Sequence, residues 1–153
     1  MKNISLLLFL AAFLVSCGSK KITEQQKSFT DKKWQPGQNL TYEFNIIDTA
    51  AAYDISAVVK HFDNFPLDRV RLSFRLEDPA GEKRISEHDL VIRDKKGQFL
   101  GKKIGDTITM DFAIRNRYKF KAQGKAKVTL VNRLTSTATN GIGGISIVVK
   151  KKN

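Results

Sequence analysis

The sequence contains very few of the residues that build disulfide frameworks or metal centres. It has one cysteine and two histidines among 153 residues. A single cysteine excludes an internal disulfide, and two histidines with one cysteine do not supply a zinc site of the usual spacing. Hydrophobic residues make up 41% of the chain and include ten phenylalanines. The composition therefore predicts one folded domain with a substantial core rather than a disordered chain.

The apolar run near the start of the chain is too short for a membrane-spanning helix, which needs roughly 20 residues. It covers residues 4–15, follows Lys2 and ends in Leu14-Val15-Ser16-Cys17. A short positive segment followed by a short apolar segment is typical of a signal peptide. The four closing residues resemble the lipobox of bacterial lipoproteins, in which a peptidase cuts before the cysteine and the cysteine is acylated. We therefore expect a signal peptide over residues 1–16 and lipidation of Cys17; an ordinary signal peptide with an unrelated cysteine is the alternative.

The residues after Cys17 are mostly polar, with only Ile22 and Phe29 as large apolar side chains before residue 33. This composition predicts a flexible tether over residues 17–33, with a root-mean-square reach of about 20 Å, and a folded body over residues 34–153. No acidic cluster follows Cys17, whereas such a cluster resembles the surface-export signal of Bacteroidetes lipoproteins. Its absence favours a lipid-anchored protein of the outer membrane that faces the periplasm.

The rest of the chain alternates apolar and polar residues with a period of two, as strands with one buried face do. Turn-forming residues such as Asp78-Pro79-Ala80-Gly81 separate these segments. About eight short strands without a convincing helix predict an all-β fold, an antiparallel, jelly-roll-like β-sandwich. The predicted strands cover residues 40–46, 53–59, 70–76, 85–92, 108–112, 114–120, 126–134 and 145–149.

Acidic residues are absent after Asp111, so the segment from residue 112 onward carries most of the chain's formal net charge of +12. Alternation along one predicted strand places four cations on its exposed face, and a hairpin at residues 122–124 would bring two more beside them. Like charges across a strand pair repel. The pattern predicts a patch for an anionic partner such as lipid head groups, lipopolysaccharide phosphates, an acidic glycan or an acidic protein. The alternative is a solvated edge whose charges hinder aggregation. The six residues are Arg115, Arg117, Lys119, Lys121, Lys125 and Lys127.

Motifs that carry catalysis or bind metal are missing. No G-x-S-x-G sequence occurs, and residues 97–102 lack both the spacing and the Ser or Thr of a phosphate loop. The aspartates at positions 48, 54, 63 and 68 do not have the spacing of an EF-hand. We therefore expect a protein that is not an enzyme and uses no cofactor or metal. Nucleic acid is not expected as a partner, because the leader directs the chain out of the cytoplasm.

One short motif suggests a modification. Asp48-Thr49-Ala50 resembles the three-residue sequence at which Bacteroidetes O-glycosylate exported proteins. Thr49 is therefore a candidate site of O-glycosylation.

Several segments, taken in order, resemble the gliding-motility lipoprotein H family of Bacteroidetes. They are Trp34, the run Leu-Thr-Tyr-Glu-Phe-Asn-Ile at residues 40–46, Asn64-Phe65-Pro66, Asp78-Pro79-Ala80-Gly81 and residues 97–106. The resemblance covers nearly all of the chain after the signal peptide and includes the lipobox. Leu67, Phe99 and Lys103 depart from the family pattern, which commonly has an aromatic residue, a tryptophan and a glycine there.

The resemblance implies an outer-membrane lipoprotein that acts as an accessory or scaffold of the gliding-motility and type IX secretion machinery. Its partners would be the membrane, through the lipid anchor, and other lipoproteins and envelope proteins of that machinery. It implies no catalytic residues. A glycan-binding lipoprotein with a carbohydrate-binding-module-like sandwich is the alternative, with Trp34, Phe65 and Phe99 as stacking groups, and a hydrolase is a more distant third.

Overall fold

The part of the chain that the structure describes contains nine β-strands. A computed structural model of the chain describes residues 18–134 and 140–152, and none of these residues lies in a helix. The predicted signal peptide and Cys17 lie outside the described residues. The strands are β1 (Lys20–Ser28), β2 (Asn39–Ile46), β3 (Ala52–Phe62), β4 (Arg69–Glu77), β5 (Lys83–Val91), β6 (Lys102–Ile104), β7 (Thr107–Tyr118), β8 (Gly124–Asn132) and β9 (Ile142–Lys152).

The strands form two antiparallel sheets that pack face to face. The five-stranded sheet has the order β1-β9-β3-β7-β6, and the four-stranded sheet has the order β2-β8-β4-β5. Apart from the short β6 and the β4–β5 hairpin, consecutive strands alternate between the two sheets. This nested order is that of a jelly roll. The prediction of an all-β, jelly-roll-like sandwich is confirmed.

The core lies between the sheets and is built by the alternation seen in the sequence. The apolar residues of the predicted strands at 40–46, 53–59 and 70–76 point inward and are buried, except Val58, which is half-buried on the opposite face of its strand. β8 and β9 add further branched side chains from the opposite layers. Full burial of one such side chain stabilises the fold by about 1.5–3 kcal/mol. Trp34 is fully buried in the same core, and its indole Nε1 donates a hydrogen bond to the Gln38 carbonyl oxygen at 3.2 Å.

The segment predicted to be a flexible tether is instead an edge strand, so that prediction is wrong for residues 20–28. β1 pairs with β9 along its length, from Lys20 opposite Lys151 to Ser28 opposite Gly144. The side-chain amide of Gln25 also donates to the backbone carbonyl of Glu43 in the other sheet. Backbone pairing and this polar contact hold a strand that has little apolar surface to bury.

The strand count also differs from the prediction in two other places. The segments predicted as separate strands at 108–112 and 114–120 are one strand, β7. The three-residue β6, not predicted, covers part of the β7 edge. One merger and two additional strands raise the number from about eight to nine.

The two ends of the sandwich are distinct. One end, which we call the anchor end, holds the start of β1, the end of β9 and the loop at residues 47–51, because Lys20 and Tyr53 both lie opposite Lys151. The connection between β7 and β8 reaches the same end. The opposite end, the far end, holds β6 and the loop that precedes it, because Phe62 and Ile104 both lie opposite Thr107.

Candidate functional site

The anchor end lies close to Cys17, because few residues separate Cys17 from the first strand. Gly18 and Ser19 separate Cys17 from Lys20, where β1 begins. Three residue steps span at most about 10 Å even when the backbone is fully extended. A lipid on Cys17 would therefore hold this end of the sandwich, and no other, beside the lipid surface.

A groove opens at the anchor end between the two sheets. Its volume is about 240 Å³, and Ile22, Ile47 and Tyr53 provide its apolar lining. Lys20 and Lys151 contribute charged side chains to the same groove. Apolar walls beside two ammonium groups give this groove an amphipathic character.

Ile47 protrudes from the anchor end. Its side chain is 78% exposed, the highest value among the exposed large apolar side chains of the described chain. The loop that carries it is held in place, because the Asp48 carboxylate accepts hydrogen bonds from the backbone N–H of Ala50 at 3.0 Å and of Ala51 at 3.3 Å. The Tyr53 hydroxyl also donates to the Asp48 carbonyl oxygen at 2.8 Å. The exposed isoleucine is therefore presented on a well-bonded turn.

Two lysines at the end of β9 pair with carboxylates. Lys151 Nζ lies 2.6 Å from Asp48 Oδ2, and Lys152 Nζ lies 3.2 Å from Asp54 Oδ2. The hydrogen bond from Lys151 holds the pKa of the Asp48 carboxyl below its ordinary value. These pairs fix the β2–β3 loop and the start of β3 to the end of β9.

Other lysines at the anchor end have fewer carboxylates beside them. Lys21 pairs with Glu24 at 2.6 Å on the solvent-exposed side of β1. Lys20 and Lys150 form no ion pair with any residue in the described ranges. Around the start of β1 and the end of β9, five lysines therefore stand against three carboxylates.

The six predicted cations do not lie on one pair of neighbouring strands. β7 belongs to the five-stranded sheet and β8 to the four-stranded sheet. The hairpin expected at residues 122–124 is therefore wrong, because the chain crosses between sheets there. Acidic residues that lie far away in sequence also approach three of the cations. The pairs are Lys121–Glu82 at 2.6 Å, Lys125–Glu43 at 2.9 Å and Lys127–Glu77 at 3.5 Å.

Arg115 does not lie on the exposed face that alternation predicts. The pairing of β3 with β7 shifts register near Ile55, and this irregularity turns the Arg115 side chain toward the other sheet. Its Nη2 donates to the Ser86 hydroxyl at 3.2 Å, and the guanidinium lies 6.0 Å from the Phe74 ring centre. Arg117 adopts a positive φ of 53° just beyond, and Lys119 is exposed. Binding of an anionic partner by this group stays a prediction.

None of the three aromatic residues proposed to stack on a sugar is fully exposed on the surface. Trp34 and Phe65 are fully buried. Phe99 is half-buried, with the Arg93 guanidinium 3.5 Å from its ring centre and the His61 ring 4.9 Å away. All three aromatic rings therefore serve packing inside or at the margin of the core.

A serine and a histidine form the polar pair that most resembles a catalytic arrangement. The Ser86 hydroxyl and His88 Nε2, two residues apart on β5, lie 2.8 Å from each other. Burial lowers the pKa of His88, and the nearby Arg115 charge acts in the same direction. The neighbouring acids, Glu87 and Asp89, alternate onto the opposite face of β5. The group thus links β5 to β7 across the sandwich and lacks the carboxylate that orients the imidazole of a triad.

Residues 18–134 and 140–152 contain no group of three or more His, Cys, Asp or Glu side chains that could hold a metal ion. No helix among these same residues has the length and apolar character needed to cross a membrane. Thr49 lies half-buried in the loop at residues 47–51, and its glycosylation stays a prediction.

Sequence reasoning missed the anchor end as a site. The predicted tether includes Lys20 and Lys21, and the three consecutive lysines at 150–152 belong to the acid-free C-terminal segment, so no local pattern connects the two groups. Their convergence depends on the pairing of β1 with β9, which joins the two ends of the chain. The two lysines at positions 20 and 21 and the three lysines at the end of the last strand are the indication that the sequence offers.

Comparison with known proteins identifies relatives along nearly the whole chain. A family model described as GldH lipoprotein matches residues 21–149. The gliding motility lipoprotein GldH of Flavobacterium johnsoniae is 21% identical over 157 residues, covering 99% of this chain and 98% of that protein. The gliding motility lipoprotein GldH homolog of Christiangramia forsetii is 20% identical over 128 residues, covering 84% of this chain and 78% of that protein.

A solved structure also matches, at low similarity. It is the family GH115 4-O-methyl-alpha-glucuronidase BtGH115A, with a TM-score of 0.38 and 11% sequence identity. The match covers 86% of this chain but only 16% of the enzyme chain. Similarity at this level carries no argument about function.

Proposed function

Because the chain belongs to the GldH lipoprotein family, we propose that it is an outer-membrane lipoprotein that serves the gliding-motility and type IX secretion machinery as a non-enzymatic accessory component. Its partners are the membrane, through the lipid on Cys17, and other lipoproteins and envelope proteins of that machinery. The sandwich faces the periplasm. Its contribution is to hold a binding surface at the membrane rather than to turn over a substrate.

The observation that carries this proposal is the position of a lipobox cysteine directly before the first strand of a GldH-family sandwich. Two or more acyl chains give an anchor of high stability, because each buried methylene adds about 0.8 kcal/mol. A body attached so closely stays at the membrane, where an accessory protein must meet its partners.

The polar side chains that lie between the two sheets support a non-enzymatic role. The Ser86–His88 pair has Arg115 as its third member, where a hydrolytic triad would have a carboxylate. The contacts among Ser86, His88 and Arg115 therefore join the two sheets, and this structural role explains the three side chains without catalysis.

Gene deletion in the organism that encodes the chain tests the proposed role. We expect the deletion strain to lose colony spreading and secretion of type IX cargo, and the wild-type gene to restore both. A gene carrying Cys17→Ala should restore neither, although the sandwich itself is unaltered. Normal spreading and secretion in the deletion strain would overturn the proposal.

Localisation is tested separately. Labelling with an alkyne fatty acid should mark the wild-type protein but not the Cys17→Ala variant, and the labelled protein should fractionate with the outer membrane. Protease added to intact cells should leave it uncut, and should cut it once the outer membrane is opened. Cleavage in intact cells would overturn the periplasm-facing orientation.

A further inference from the structure

We propose that the anchor end is a docking face for the anionic phospholipid head groups of the leaflet that holds Cys17, with Ile47 entering the head-group layer. The docking face consists of Lys20, Lys21, Ile47, Lys150 and Lys151. This inference rests on the proposed lipid anchor and adds a second, non-covalent contact between the sandwich and the membrane.

The first support is the length of chain between lipid and body. Only Gly18 and Ser19 lie between Cys17 and β1. Since three residue steps span at most about 10 Å, the start of β1 cannot leave the neighbourhood of the head groups. The surface that surrounds the start of β1 therefore meets the lipid surface whatever its chemistry.

The second support is that the chemistry of this surface suits anionic lipid. Lys20 and Lys150 have no carboxylate partner within the described part of the chain, and Lys21 has only the surface pair with Glu24. Basic clusters next to a membrane anchor are attracted by the negative potential of anionic lipids. Lysine side chains can also extend their ammonium groups to phosphates while their stems lie along apolar surface.

The third support is the shape and apolar content of the face. Ile47 projects at 78% exposure from a turn that Asp48 holds rigid, and the groove beside it is lined by Ile22 and Tyr53. The groove offers ammonium groups for a phosphate and apolar walls for the glycerol and first methylenes of the same lipid. A single exposed isoleucine is ordinary on a protein surface, but here it stands where the covalent chain forces contact with lipid.

A probe at Ile47 tests the proposal in the intact lipoprotein. The full mature chain, purified in detergent from cells that express the full-length sequence, is placed in vesicles of phosphatidylcholine with or without phosphatidylglycerol. The chain has one cysteine, so Ile47→Cys supplies a single free thiol for an environment-sensitive fluorophore. Ile104→Cys is the matched control, because Ile104 is 68% exposed at the far end.

We expect the fluorophore at position 47 to shift its emission to shorter wavelength on vesicles with phosphatidylglycerol and to resist quenching by iodide. The fluorophore at position 104 should show neither change. Adding Lys20→Gln, Lys21→Gln and Lys150→Gln should abolish most of the shift. Lys95→Gln, Lys96→Gln and Lys102→Gln, which remove the same charge near the far end, should leave it unchanged.

Each contrary outcome has a defined meaning. Equal iodide quenching at positions 47 and 104, in protein that floats with the vesicles, would overturn the docking face while leaving the anchor intact. An equal shift on phosphatidylcholine alone would overturn the role of the lysines. Protein that fails to float with the vesicles would overturn the lipid anchor, and with it both proposals.

Discussion

At the scale of single residues, Tyr42 shows how one polar atom ties the two sheets together. Its side chain points inward from β2, and its hydroxyl donates a hydrogen bond to the Ile145 carbonyl oxygen of β9 at 2.8 Å. Burial raises the pKa of this hydroxyl well above its ordinary value. The bond is therefore a neutral contact between layers, formed in an apolar environment where an unpaired hydroxyl would be costly.

Replacing Tyr42 with Phe should lower the free energy of unfolding by about 1–2 kcal/mol, because a buried hydrogen bond between the sheets is lost while the ring still fills its space. Equilibrium unfolding in urea measures the change. Tyr118→Phe is a suitable control, since that ring is only half-buried. Equal stability of wild type and Tyr42→Phe would contradict the assigned role.

His61 makes the stability of the fold depend on pH. The residue is fully buried, and its Nδ1 lies 3.0 Å from the Phe62 carbonyl oxygen while its Nε2 has no partner in the described chain. Burial lowers the pKa of this imidazole, and the positive charge of Arg93 acts in the same direction, against the opposing Phe62 hydrogen bond. The neutral ring is the form that fits the folded state.

The sign of the pH effect follows from that lowered pKa. In the unfolded chain the imidazole takes up a proton near pH 6.5, whereas in the folded chain it does so only at lower pH. Stability should therefore be complete above about pH 6.5 and should fall as the pH drops toward the folded pKa. His88, whose pKa is also lowered by burial, adds to the same trend.

Melting temperatures measured between about pH 5 and 7.5 should rise with pH in the wild type. His61→Phe should flatten that rise, because the ring is kept among Phe65 and Phe99 but can no longer be protonated. His88→Phe should flatten it less, since His88 lies closer to solvent. A wild-type curve with no slope in this range would contradict the prediction.

Single residues also show which side-chain positions could be predicted from the sequence alone. The inward positions of β2, β3 and β4 could be predicted, because each strand has one clearly apolar face. Arg115 could not, because the register shift between β3 and β7 reverses the face on which its side chain lies. Alternation of side chains between the two faces holds only for a regular strand. A bulge interrupts this alternation, and the amino-acid composition does not indicate where a bulge occurs.

At the scale of elements, β1 explains why a strand can be mistaken for a tether. It lies at the edge of its sheet and packs only loosely over the other sheet, so polar side chains such as Thr23 and Gln25 are tolerated on its inner face. Its stability comes from the ladder with β9 rather than from apolar burial. The three-residue β6 is too short to show any period at all.

Gly144 on β9 allows β1 to lie close against its neighbour. A Cβ atom at this position would stand 2.9 Å from the Lys27 carbonyl oxygen and 3.1 Å from the Gln26 side-chain nitrogen. Gly144→Ala should therefore push the end of β1 outward and cost about 1–3 kcal/mol, as overpacking typically does.

Amide hydrogen exchange would localise that effect. Exchange should speed up at residues 26–28 in Gly144→Ala and stay slow in β4 and β8, which lie in the other sheet. Ser146→Ala, two residues along the same face of β9, is the control and should leave β1 protected. Unchanged protection of β1 in Gly144→Ala would show that the neighbouring strand accommodates the methyl group.

At the scale of the whole molecule, the jelly roll places the first and last strands side by side. The lysines just after the lipobox and the lysines at positions 150–152 therefore gather at one end, although almost the whole chain separates them. No local pattern could predict this, because it depends on strand order. The sandwich class could be predicted from the number and spacing of the strands, but not the pairing of β1 with β9.

A linker between lipid and body would test the importance of this arrangement. Inserting about ten Gly and Ser residues between Gly18 and Ser19 would allow an additional root-mean-square separation of roughly 15–20 Å. We expect the melting temperature to stay unchanged, because the insertion point lies outside β1. Colony spreading should fall if close attachment to the membrane is required, and full spreading would show that the anchor alone suffices.

The pairing of β1 with β9 also sets the mechanical path through the molecule. A pull between the lipid and a partner held at the far end would enter along the axis of β1, which runs from the anchor end toward the far end. Since the ladder bonds lie across the strands, such a load would shear many of them together rather than open them one at a time. An edge strand with little apolar surface can in this way carry the tension between the lipid and the rest of a small sandwich.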